Sequence, residues 1–132
     1  MKYTLLLIPF FITNIWADNT LSLSQIDTDL WNVNYSTDTA IAGFQFYVEG
    51  ATVGSAYGGD AETAGFTIGN GTSLVIGYWS TNSTIPAGSG TLLVIDVSGT
   101  PTSLSGILVS DSSANYIDFT YDAGDDCPSG NY

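Results

Sequence analysis

From Leu21 onward, apolar side chains recur at every second position in short runs, the spacing of strands with one buried face. Leu21 and Leu23 alternate with serines. Trp31, Val33 and Tyr35 share one face, with Asn32 and Asn34 on the other. Phe44, Phe46 and Val48 alternate with Gln45, Tyr47 and Glu49, and Phe66 and Ile68 make a short run of their own. Leu74, Ile76 and Tyr78 alternate with Val75, Gly77 and Trp79. Leu93, Ile95 and Val97 share a face with Asp96 directed away, and Ile107 and Val109 lead into a turn. Ile117, Phe119 and Tyr121 close the series, with Asp118 and Thr120 outward.

Gly69-Asn70-Gly71, Ile85 to Gly90, Gly99-Thr100-Pro101 and Asp111 to Asn115 punctuate these runs as turns. Only Asp60 to Ala64 strings helix formers together, one turn at most, with Asp60 as its expected N-cap. The pattern predicts about seven to nine strands in an all-β, two-sheet antiparallel sandwich. No βαβ spacing occurs, so no parallel sheet is expected.

The N-terminus departs from this pattern. Lys2, the apolar run Leu5 to Ile12 and the small residue Ala17 before Asp18 have the layout of a secretory signal peptide, assigned to residues 1–17. The run is too short to span a bilayer comfortably, so a secreted or cell-surface domain is expected, with no membrane insertion once the signal is removed. The domain is assigned to residues 18–122, and residues 123–132 read as a polar tail or the start of a linker.

Charge narrows the function further. The chain has 13 carboxylates, no His and one Lys or Arg, giving a formal net charge of −12. That single cation is Lys2, so the domain itself has none. With no basic side chain to neutralise phosphates, nucleic acid is excluded as a partner, and anionic lipid with it. Serine nucleophiles lack a base, and zinc sites built on His or several Cys are unavailable. An enzyme is not expected. Cys127 is the one cysteine, so no internal disulfide forms; in an exported chain it is a candidate for pairing with another molecule.

At this point the residues resemble a known family. Ala42-Gly43-Phe44-Gln45-Phe46 opens a strand, Ala61 to Phe66 turns into another, and Ile85 to Leu93 and Val109 to Asn115 follow in order. Together they are similar to a cohesin-type module over roughly Leu21 to Tyr121. The resemblance implies a jelly-roll-like sandwich related to carbohydrate-binding modules and a non-catalytic role in extracellular recognition. Its implied partner is a dockerin-like protein, bound through one sheet face. Ala114 stands where a glycine is usual in the last turn, and no dockerin-contact residue carries over by position.

Four sets of side chains are candidates for chemistry. Trp79, Tyr47 and Tyr57 are the aromatic residues expected to reach a ligand, since flat rings stack on sugars; ordinary packing is the competing reading. Asp111, Ser113 and Asn115 place oxygens at alternate positions, a candidate calcium set. Tyr116 occupies the position such a loop needs for glycine, which favours a plain Asx-type hairpin turn. Asn34, Asn70 and Asn82 begin Asn-x-Ser/Thr triplets and would carry glycans only in a glycosylating host. Besides protein–protein attachment, a carbohydrate-binding module for polysaccharide and a structural subunit of a surface layer or fibre fit the same sequence.

Unpaired carboxylates repel one another across the domain. Added NaCl or CaCl2 is therefore expected to raise the melting temperature in a thermal scan, and a temperature indifferent to both salts would contradict the electrostatic picture.

Overall fold

In the computed structural model, which describes residues 19–79 and 82–123, the apolar alternations become strands in the predicted order. These are β1 (Thr20–Gln25), β2 (Leu30–Thr37), β3 (Gly43–Tyr57), β4 (Thr67–Asn70), β5 (Leu74–Tyr78), β6 (Gly88–Ser110), β7 (Tyr116–Ile117) and β8 (Thr120–Tyr121). One helix, α1 (Gly59–Thr63), lies between β3 and β4. The signal segment 1–17 and Cys127 lie outside the described residues.

Hydrogen bonding runs without a break through the order β4-β5-β3-β6-β2-β1-β8, with β7 also on β6. Two layers arise because β3, of 15 residues, and β6, of 23, continue from one into the other. The first half of β3 and the last part of β6 pair with β5 and β7 to make a front layer. The second half of β3 and the first part of β6 join β2, β1 and β8 as a back layer. The β3–β6 ladder shifts register at three places: Gln45/Tyr47, Glu49/Ala51 and Val53/Ser55. Such bulges add local twist and bend a strand pair, which carries it from one layer to the next.

Gly50 sits at the second irregularity with φ +88°, and a Cβ there would come within 2.8 Å of Thr102 Oγ1. Both the conformation and the space require glycine.

Phe44, Phe46, Val48 and Val75 of the front layer meet Leu21, Val33, Leu93 and Ile95 of the back layer in one buried cluster. Leu92 and Leu93 are adjacent yet both fully buried, which strict alternation forbids. The register of β2 against β6 passes from Val33↔Leu93 to Asn34↔Thr91, leaving Leu92 as the extra residue of a bulge. Phe44 stacks with Phe46 and with Phe66, centroids 6.1 Å apart in each pair. Phe66 is buried although the strand begins one residue later, at Thr67.

Two expectations need correction. The sandwich is not wholly antiparallel, because β8 pairs with β1 in parallel, Thr20↔Thr120 and Leu21↔Tyr121. The chain leaves β6 at the edge of the front layer, buries Phe119 in the core and brings β8 beside β1 at the edge of the back layer. Nor does Asp60 cap the helix. Gly58 is the N-cap residue, and its N–H donates to Glu62 Oε1 at 2.8 Å. The Asp60 carboxylate is drawn away to accept a bond from Tyr35.

Gly77 faces inward on β5, where an added Cβ would meet the Phe44 ring at 2.3 Å. Because Phe44 is held by two further rings, Gly77→Ala is expected to destabilise the fold by about 1–3 kcal/mol in denaturant titration, the usual cost of overpacking. Gly69→Ala on β4, where the new methyl group would find only Ile76 Cγ2 at 3.7 Å, should change stability far less.

Candidate functional site

Alternation that sends Phe44, Phe46 and Val75 into the core sends their neighbours out onto the front layer. Pairing then lines those outward residues up in rows. Tyr78, Gly43, Ser110 and Tyr116 form one row, Ile76, Gln45 and Leu108 the next, and Leu74, Tyr47 and Ser105 a third. Tyr78 is 50 % exposed, Leu108 43 %, Tyr47 40 % and Tyr116 76 %. Of the six large hydrophobic side chains exposed among the described residues, four therefore share this one face. Contiguous exposed apolar side chains are uncommon on a folded domain, whereas scattered ones are ordinary.

A cleft of about 210 Å³ lies on this face, lined among others by Gly43, Gln45, Ile76, Tyr78, Leu108 and Tyr116. Gly43 contributes no side chain between Tyr78 and Tyr116, and this leaves the row open. A Cβ there would come within 3.1 Å of Ser110 Oγ. Tyr47 is placed by a second glycine, since a Cβ on Gly106 would meet its ring at 2.9 Å. Below Tyr47, the Glu49 carboxylate accepts a hydrogen bond from Ser105 Oγ. The face thus combines rings, aliphatic side chains and an acidic border.

A second cavity, of about 430 Å³, lies where α1 meets the segment leading into β6. Tyr35, only 7 % exposed, donates its hydroxyl to Asp60 Oδ2 at 2.6 Å at this site. Burial, reinforced by the carboxylate that accepts its proton, pushes the Tyr35 phenol up to about 12. Burial also raises Tyr121, with the charge of Asp122 adding to it.

The aromatic candidates separate. Tyr47 is on the front face; Tyr57 is exposed at the far end of β3, in the back layer; Trp79 is half-buried against the core. On β5 the ring that reaches solvent is Tyr78, because Gly77 must face Phe44 and so fixes the parity of the strand.

The Asp111 turn is closed by its own backbone. Asp111 Oδ1 accepts from the N–H groups of Ser113 and Asn115, each at 2.9 Å, the pattern of an Asx turn. No group of three His, Cys, Asp or Glu side chains stands together in the manner of a metal site among the described residues. Ala114 takes φ +66°, in accord with the glycine usual at that place. What this turn does is deliver Tyr116 to the front face, opposite Ser110.

Asn34 lies in mid-strand, its amide donating to Ser24 Oγ at 2.9 Å and its oxygen accepting from Thr91 Oγ1 at 3.2 Å. Asn70 and Asn82 are exposed. Tyr78, Leu108 and Tyr116 were not singled out by sequence. For Tyr78 the signal was present in the apolar triplet Leu74/Ile76/Tyr78, whose facing depends on Gly77.

No family model matches the chain, and no curated protein matches it. Among solved structures, it is similar to a non-cellulosomal cohesin from the hyperthermophilic archaeon Archaeoglobus fulgidus, with TM-score 0.57 and 16 % identity over 80 % of this chain and 86 % of that one. It is similar also to a chain of a crystallised dockerin–cohesin complex, with TM-score 0.51 and 16 % identity over 79 % of this chain and 94 % of that one. The fold is therefore of the cohesin type. No helix among the described residues is long and apolar enough to cross a membrane.

The raised Tyr35 phenol has a consequence for pH dependence. Its pKa lies higher in the folded state than in the unfolded chain, so its contribution is complete below about pH 10 and lost as pH rises toward 12. Unfolding free energy measured from pH 9 to 12 is expected to fall across that window, and less steeply in Tyr35→Phe.

Proposed function

We propose that this chain is a non-catalytic, extracellular protein–protein attachment module that receives a dockerin-like partner on its front face. The observation that carries the reading is the concentration of Tyr47, Tyr78, Leu108 and Tyr116 on one sheet face. Flat sheet faces present side chains on rigid backbone, so little ordering entropy opposes docking. Tyrosines supply large contact area with few rotatable bonds, and they are enriched among residues that dominate binding. The cohesin-type fold supports the reading, and a signal-like segment at residues 1–17 supports the extracellular setting.

Charge shapes the partner. Because the sequence has no Lys or Arg after Lys2 to offset its carboxylates, a partner with a basic rim around an apolar centre would be steered in and oriented. The described residues of the front face present rings, aliphatic side chains, a glutamine and a serine-bound glutamate, which suit contact with another protein.

A second reading, sugar binding, is favoured by one feature, the exposed rings of Tyr78 and Tyr116 at the two ends of one row. Retention on insoluble polysaccharide that is lost in Tyr78→Ala would support it.

Binding of a dockerin-like domain from the same organism, measured by calorimetry, tests the first reading. Tyr78→Ala and Leu108→Asp are each expected to weaken it by about 2 kcal/mol, on the order of thirtyfold, without lowering the melting temperature. Tyr57→Ala, in the back layer, should leave affinity unchanged. Front-face variants that bind as well as the wild type would overturn the proposal.

A further inference from the structure

The cavity beside α1 shares no lining residue with the front-face cleft, and the attachment reading makes no use of it. Among the described residues its one charged wall residue is Asp60. That carboxylate is held rather than free: Tyr35 donates to Oδ2, and the missing side chain of Gly90 gives it room. A Cβ on Gly90 would lie 2.8 Å from the same oxygen. A carboxylate offers about four acceptor sites, and one hydroxyl cannot satisfy them. No Lys or Arg follows Lys2 to serve as counter-ion.

Ligand classes can be sorted on these features. An anion is repelled by Asp60 and by the net charge of −12. Among the described wall residues a divalent metal would find a single carboxylate and no His or Cys. A sugar would find no open ring to stack on among the described wall residues, where Tyr35, 7 % exposed, is the one aromatic side chain. A monovalent cation on an apolar stem meets what is present: a positioned carboxylate, the hydroxyls of Thr63 and Thr84, and apolar Pro86 and Ala87.

We propose that this cavity binds a primary alkylammonium group, with Asp60 as its counter-ion and Pro86 and Ala87 flanking the alkyl stem. The group is either a lysine side chain of another protein or a free alkylamine; both present the same chemistry to Asp60. The cavity volume, about 430 Å³, is within the range of about 300–1,000 Å³ usual for small-molecule sites.

The test is a nuclear magnetic resonance titration of the protein with n-butylammonium and with doubly capped lysine, against mannitol and NaCl at matched ionic strength. Saturable shifts are expected at the amides of Asp60, Thr63, Thr84 and Ala87. Asp60→Asn, which keeps an acceptor for Tyr35, should weaken both ligands about tenfold or more, the loss of a charge-assisted hydrogen bond. Ala87→Trp, at an exposed position, should block them with the melting temperature unchanged, whereas Asp111→Asn should do nothing.

Saturation by capped lysine alone identifies a protein-borne lysine; saturation by butylammonium alone identifies a free amine; saturation by both supports the shared chemistry. An equal response to mannitol, shifts spread over all the carboxylates, or unchanged affinity in Asp60→Asn would overturn the proposal.

Discussion

The fold depends on two strands that do not belong to a single layer. β3 and β6 stay hydrogen-bonded to each other from Gly43↔Ser110 to Tyr57↔Val94, and along that length they pass from the front layer to the back. A sandwich of two separate sheets is held by side-chain packing between them. Here the backbone ladder is continuous as well, so a change at the bend moves both layers. The three register shifts and the glycine at position 50 make that passage feasible, because each loosens the ladder where the strand pair must turn.

The same constraint creates the exposed apolar face of the front layer. Once Phe44 and Phe46 are committed to the core, Gln45 and Tyr47 must project outward, and antiparallel pairing brings the outward residues of β5 and β6 alongside them. Gly77 then decides the direction of its strand, since only a residue without a side chain fits beneath the Phe44 ring. Leu74, Ile76 and Tyr78 face solvent as a result. Core packing and surface exposure are two consequences of one parity.

Much of this was legible in the sequence. Period-two alternation located the strands, and the absence of cations after Lys2 limited the chemistry. The resemblance carried by Ala42 to Phe46, Ile85 to Leu93 and Val109 to Asn115 pointed to the fold that structural comparison also finds. Other features could not be read locally. Alternation alone does not say which face is buried, so Trp79 was singled out although Tyr78 is the exposed ring. The bulge that buries both Leu92 and Leu93 belongs to a pairing with β2 that lies far away in sequence. Asp60 looked like a helix cap because its competing partner, Tyr35, is distant in the chain and adjacent only in the fold. At Asp111 the Asx-type turn that the sequence favoured over a calcium set is the one formed, with Asp111 Oδ1 accepting from the N–H groups of Ser113 and Asn115.

The central claim is that the open face of the front layer is where a protein partner docks. Hydrogen–deuterium exchange of the protein, alone and with a bound dockerin-like domain, tests it most directly. Protection should appear in Gly43 to Tyr47, Leu74 to Tyr78 and Ser105 to Tyr116, with β1 and β2 unchanged. Protection confined to β1 and β2, with the front strands exchanging as in the free protein, would contradict it.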